Sequence, residues 1–135
     1  MTALNRYEGS CHCGAVKFEV TMAPPTKAFA CNCTMCSRAG WLLAFAKDDT
    51  FKILHGEDAV TDYQFGKKKI HHVFCKTCGT RLCTWRTNGS AAGIALAVFD
   101  DRHAFAPTEH IWVAEKMAWV KLEDGLPQYP GTAPP

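Results

Sequence analysis

Seven of the eight cysteines in this 135-residue chain fall into three tight groups: Cys11 and Cys13; Cys31, Cys33 and Cys36; Cys75 and Cys78. Thiols at such spacings suit a tetrahedral cation such as zinc, because each thiolate reaches the ion at about 2.3 Å and neighbours in one short segment grip it together. FCKTCGT (74–80) is the most specific local signal. Its Gly79 permits positive φ, so backbone N–H groups can turn toward the sulfurs. A redox reading of the same C-x-x-C needs a βαβ setting that the neighbouring sequence does not supply. SCHCGA (10–15) is a second two-thiol group, again followed by glycine. In an extended chain residues i and i+2 share a face, so Cys11 and Cys13 are expected to point the same way. Together with Cys75 and Cys78 they complete a tetrahedron of four thiolates, and a closed site of that kind is structural.

CNCTMC (31–36) then has no partner group. Three thiolates from one segment leave zinc with an open position for water or substrate. An open position can take up an incoming thiol and favour its thiolate, the nucleophilic form of a group whose free pKa is about 8.5. It can equally polarise a carbonyl oxygen. The alternative closes the site with Cys83, in TRLCTW, which makes the chain a non-catalytic zinc-stabilised binding or interaction module. A lone strand cysteine is more often a buried, inert thiol.

Other side chains can assist. Arg38, two residues past the cluster, can meet a substrate carboxylate bidentately, or simply be solvated. His12 alternates away from its neighbouring cysteines and is expected to face outward. His71 and His72 are adjacent in a strand segment, so one points in and one out, as a general base or as a packed, hydrogen-bonded residue. His110 opens HIWV and is a further candidate. Trp41 and Trp112 can line a pocket or pack in the core, and packing is the stronger expectation. GKKK (66–69) offers phosphate affinity but reads as a solvated hairpin tip without an aromatic platform. Nucleic acid is therefore not the expected partner.

The elements that must position these residues read as strands. Apolar content is 47% and net charge is +2, which indicates a globular chain and gives no argument for an acidic partner. GAVKFEV (14–20) alternates, with Val16, Phe18 and Val20 on one side. TKAFA (26–30), FKIL (51–54), VTDYQF (60–65), KIHHVF (69–74), TRLCTWR (80–86), AAGIALAVF (91–99) and HIWVA (110–114) are further strand segments, and WLLAFA (41–46) reads as a fully buried one. MAPP, KDDT, HGED, FGKK and TNGS are turn-like, and SRAG can hold one helical turn. From Glu123 the Gly/Pro-rich chain is expected to be a loose tail over about 123–135. Many short strands separated by turns predict an all-β fold. MTALNRYEGS holds no secretory signal, and the longest apolar runs fall short of the roughly 20 residues of a membrane span. A cytoplasmic setting follows, where thiol clusters are metal ligands rather than disulfides.

GSCHCGAV, CNCTMC, FCKTCGT, the late HIWVAEKMAWV and the tail DGLPQY together resemble the glutathione-dependent formaldehyde-activating enzyme family, which includes the centromere protein V relatives. The resemblance runs from about Gly9 to Tyr129. It implies a single zinc-binding domain over 1–135, built of antiparallel sheets stapled by zinc and sometimes called a β-tent. It implies that Cys11, Cys13, Cys75 and Cys78 hold a structural zinc. Cys31, Cys33 and Cys36 would hold a second, more labile and catalytic zinc near the glutathione site. The implied reaction joins the thiol of glutathione, or of another small thiol, to formaldehyde or a small aldehyde. The bond made is C–S, so the reverse direction is a carbon–sulfur lyase step. The oligomeric state is left open.

Overall fold

Alternating and β-branched segments give ten short strands in the computed structural model, which describes residues 3–46, 50–87 and 92–134. In chain order they are β1 (Asn5–Ser10), β2 (Lys17–Met22), β3 (Ala28–Cys31), β4 (Leu42–Ala46), β5 (Phe51–His55), β6 (Val60–Tyr63), β7 (Ile70–Cys75), β8 (Arg81–Arg86), β9 (Ala92–Ala95) and β10 (Glu109–Ile111), with one helix, α1 (Thr34–Ala39), between β3 and β4. The all-β expectation therefore holds. The strands form a three-stranded sheet, β1-β2-β5, and a seven-stranded sheet, β10-β3-β4-β9-β8-β7-β6. Every named pairing is antiparallel except that of β10 with β3. Among the described residues no helix is long and apolar enough to cross a membrane.

Val16, Phe18 and Val20 are buried as their alternation predicted. Aromatic rings join the two sheets: Phe18 stacks on Phe51 at 5.0 Å, Phe51 meets Trp85 of β8 at 6.2 Å, and Phe99 packs edge-on to both Tyr7 and Phe18. β1 carries no apolar alternation. It forms as a polar edge strand, with Gly9 opposite Phe18 and Arg6 bridging Glu8 and Glu19. β4 departs from the fully buried strand expected of WLLAFA, since Leu42 and Phe45 are exposed while Leu43, Ala44 and Ala46 are buried. AAGIALAVF is a strand only to Ala95, then a 3-10 turn. The turn expected at KDDT falls largely, at 47–49, outside the described residues, as does that at TNGS for 88–90.

One irregularity bears on the site. β7 and β8 pair Val73 with Cys83 and then Phe74 with Arg81, so Leu82 is passed over. This bulge lets the consecutive Leu82 and Cys83 both be buried and turns Arg81 to the side of His72.

The C-terminal segment is not the loose tail its Gly/Pro content suggested. β10 is an edge strand whose outer backbone groups need partners. Residues 127–131 supply them: His110 N–H donates to Pro127 O at 2.9 Å, Tyr129 N–H to His110 O at 2.9 Å and Trp112 N–H to Gly131 O at 2.8 Å. Prolines suit this covering role because their carbonyls accept while their missing N–H is not needed. Asp124 Oδ2 lies 2.8 Å from His110 Nε2. That contact, with the Leu126 N–H, holds the Asp124 carboxyl below its ordinary pKa of 3.8. A depressed folded-state pKa gives stability that is complete above the unfolded value and lost as pH falls through the folded one. We expect the protection of the Tyr129 amide against hydrogen exchange, taken relative to its intrinsic rate at each pH, to fall below about pH 4, the ordinary carboxylate range. Asp124→Asn should show the faster exchange already at neutral pH; equal exchange in both proteins would remove this contact from the account.

Candidate metal centres

The first cluster is assembled by two glycine-closed turns. Between β1 and β2, Gly14 at φ 80° closes a turn whose N–H meets Cys11 O at 3.3 Å. Between β7 and β8, Gly79 at φ 77° donates to Cys75 O at 2.8 Å. Such φ values are strained for residues with a Cβ. Cys11 and Cys13 converge through this turn rather than through an extended C-x-C, which corrects the expected cause of their proximity. The sulfurs of Cys11, Cys13, Cys75 and Cys78 all lie within 4.8 Å of one another. Cys13 Sγ is 3.7 Å from Cys11 Sγ and 3.8 Å from Cys75 Sγ. Four sulfurs placed tetrahedrally at about 2.3 Å from one ion are about 3.8 Å apart, so the spacing fits zinc.

Hydrogen-bond donors turn toward these sulfurs and favour the thiolate at Cys75 and Cys78, while the Cys13 thiol is raised to about 11. Val16 N–H points at Cys11 Sγ at 3.3 Å, and Thr77 and Cys78 N–H at Cys75 Sγ at 3.4 and 3.5 Å. The Cys78 N–H holds the Cys75 thiol below its usual pKa. Thr80 Oγ1, 3.2 Å from Cys78 Sγ, is the main cause that lowers the Cys78 thiol to about 5.

The second cluster grows from one strand end and one helical turn. Cys31 ends β3, Cys33 caps α1, and Cys36 follows three residues on, one turn along the same face. Cys33 Sγ accepts from Cys36 N–H at 3.3 Å. Gly40, left-handed at φ 64°, stops the helix and donates to Cys36 O. Asn32 holds the loop to β10, with its N–H on Ile111 O at 2.9 Å and its side-chain amide on the same carbonyl at 3.2 Å. The covered edge strand thus positions the loop that carries Cys31 and Cys33. The three sulfurs lie within 4.8 Å of one another, with no fourth Cys, His, Asp or Glu ligand in the cluster among the described residues. They compete for protons. Cys31 is pulled down to about 6, chiefly by a hydrogen bond with Cys36. Cys36 is pushed well above the thiol range, first by Cys31 and then by burial. A cation among them removes that conflict, so the donor set fits a metal ion with an open position.

Cys83 does not close this cluster. It is 1% exposed, opposite Val73 and Ile94, and burial pushes its thiol to about 12. It is the buried, inert thiol expected of a lone strand cysteine. All eight cysteines are free.

The remaining candidates separate. Arg38 is turned back on α1, its Nη1 donating to Thr34 O at 2.8 Å. His12 is exposed. His71 Nδ1 meets Asp62 Oδ2 at 2.6 Å, while the buried His72 faces Arg81. His110 pairs in register with Ala30, whereas Ile111 pairs with Cys31, so His110 is committed to Asp124 rather than to the cluster. Trp112 is 41% exposed and left-handed at φ 55°, not a core residue. Lys67, Lys68 and Lys69 are exposed at a turn, and Phe65 near it stacks against Tyr63 and against His72.

Trp41 has a role that packing alone did not predict. Its indole Nε1–H donates to Cys36 Sγ at 3.0 Å while its ring is buried. An outer hydrogen bond of this kind orients a ligand and sets metal affinity. Trp41→Phe keeps most of the ring and removes the donor. It should weaken the second metal by roughly 10–100-fold and leave the first unchanged, read by chelator competition. Equal affinities for the second metal would exclude this role.

Three comparisons bear on these clusters. Residues 6–115 match the family model described as "Glutathione-dependent formaldehyde-activating enzyme". A Halomonas elongata protein, provisionally named as a glutathione-dependent formaldehyde-activating enzyme, is 27% identical over 126 residues, covering 86% of this chain and 80% of its own. A crystal structure of a Rhodobacter sphaeroides protein superposes with a TM-score of 0.64 at 28% identity, covering 90% of this chain and 98% of that one.

Proposed function

The chain belongs to the glutathione-dependent formaldehyde-activating enzyme family, and from that premise we propose that it is a thiol-dependent carbon–sulfur lyase acting on formaldehyde or a small aldehyde, with glutathione or another small thiol as co-substrate. The observation that carries this reading is the three-sulfur cluster of Cys31, Cys33 and Cys36 without a fourth ligand among the described residues. Cys11, Cys13, Cys75 and Cys78 are the structural zinc ligands in this reading. Zinc bound at the three-cysteine cluster supplies a cationic centre that favours the thiolate form of an incoming sulfur. The chain's own residues do the rest. Trp41 N–H and Cys36 N–H fix the directions of Cys36 and Cys33. The thiolate adds to the carbonyl carbon: one C–S bond forms as the C=O π bond opens onto oxygen, and the proton lost from sulfur ends on that oxygen. The reverse step breaks the same bond. A reducing, cytoplasmic setting belongs to this reading, since metal-ligating thiolates must stay reduced.

The test is exchange between free formaldehyde and its glutathione adduct, followed by NMR with 13C-formaldehyde. The zinc-loaded protein should raise the exchange rate above that of buffer. A rate equal to buffer at enzyme concentrations comparable to substrate would sink the lyase reading.

A further inference from the structure

Arg81 is the residue that the β8 bulge delivers beside the second cluster. Its Nη2 donates to His72 Nδ1 at 2.8 Å, and its guanidinium carbon sits 4.9 Å from the ring centroid of Trp41. Trp41 in turn donates to Cys36 Sγ at 3.0 Å. The guanidinium is therefore two contacts from the three-cysteine cluster. Phe65 stacks on His72 at 5.3 Å and fixes the imidazole that orients it. Burial, then Arg81 itself, lowers the His72 pKa, which suits a neutral ring accepting at Nδ1.

What Arg81 lacks is a carboxylate: burial lowers its pKa, and the neighbouring charges that act against this are those of the Cys36 and Cys83 sulfurs. No carboxylate pairs with it among the described residues. Its Nε–H is buried without a partner. A guanidinium remains charged in proteins and presents a fork matched to a carboxylate. A partly buried guanidinium whose fork meets no carboxylate, and whose Nε–H is a buried unpartnered donor, calls for an explanation.

We propose that Arg81 anchors a carboxylate of the thiol substrate, so that the second cluster selects anionic thiols over neutral ones. The proposal rests on the thiol-dependent reading above. Glutathione fits its chemistry. The glycine carboxylate lies one residue beyond the reacting cysteine, about 3.5 Å of chain further at full extension. Arg38, the other arginine near the cluster, is exposed and bonded to its own helix, and offers no such buried fork.

The test titrates the cobalt-substituted protein with glutathione, with glutathione diethyl ester and with 2-mercaptoethanol, reading the thiolate-to-cobalt absorption of the second site. In the wild type the midpoint for glutathione should lie about 10–100-fold below that for the ester, the worth of one charged hydrogen-bonded pair. Arg81→Gln should raise the glutathione midpoint to that of the ester and leave the ester's own midpoint in place. Arg81→Lys keeps the charge without the fork and should recover only part of the gap. It also serves if the glutamine variant fails to fold. Equal midpoints for all three thiols in the wild type would overturn the anchor while leaving a thiol-responsive site. So would an Arg81→Gln variant that moves glutathione and ester alike, since that marks support of Trp41 rather than substrate contact. A wild type whose second site answers no thiol at all would overturn the thiol reading, and the anchor with it.

Discussion

Replacing Cys75 by serine is expected to yield a chain that binds one metal fewer and no longer unfolds cooperatively. Cys75 is fully buried, and its sulfur meets that of Cys13 from 62 residues away in sequence. The four-cysteine cluster fastens the turn before β2 to the turn after β7, and so ties the small sheet to the large one. Closed zinc sites in small domains contribute about 10–16 kcal/mol of apparent binding energy to folding. A domain of ordinary stability has only about 5–15 kcal/mol in hand. The loss of one buried thiolate ligand is therefore comparable with the whole stability. Near-ultraviolet circular dichroism during heating, with zinc counted by a chromophoric chelator, reads both effects. A cooperative melt at the wild-type midpoint would show that the four sulfurs meet without holding the fold.

Cys33→Ser should do the opposite: keep the fold and abolish the chemistry. Cys33 has two duties, because its sulfur belongs to the three-cysteine cluster and also accepts from Cys36 N–H at the start of α1. Serine is a strong helix N-cap, so the second duty survives within about 1 kcal/mol. The first does not, since two thiolates and a hydroxyl are a weak donor set for zinc. The variant should retain its thermal midpoint to within a few degrees, bind one zinc instead of two, and catalyse formaldehyde–glutathione exchange no faster than buffer. Undiminished exchange would move the chemistry away from this cluster.

Local signals carried far in this chain. The cysteine spacings named both clusters, because ligands that share an ion must be close in sequence or lie in matching turns. Val16, Phe18 and Val20 announced a half-buried strand because a period of two has no other reading at that length. What escaped was non-local. β1 is polar and exists only because β2 offers it an edge. The tail has the composition of a linker, yet its carbonyls complete the edge of β10. Arg81 looks like any strand arginine until the bulge at Leu82 and Cys83 changes the side on which it emerges. One hint was available: TRLCTW places two large apolar or thiol residues side by side, which a regular strand cannot bury together on one face. Trp41 was foreseen as packing, and its N–H to Cys36 became visible only once α1 was in place.

Zinc-edge X-ray absorption of the two-zinc protein, with and without glutathione, tests the open second site most directly. One four-sulfur and one three-sulfur site average about 3.5 sulfurs per zinc, and the number should rise to about four when glutathione's sulfur joins the second. Four sulfurs per zinc from the outset, unmoved by glutathione, would contradict the account and make both sites closed and structural.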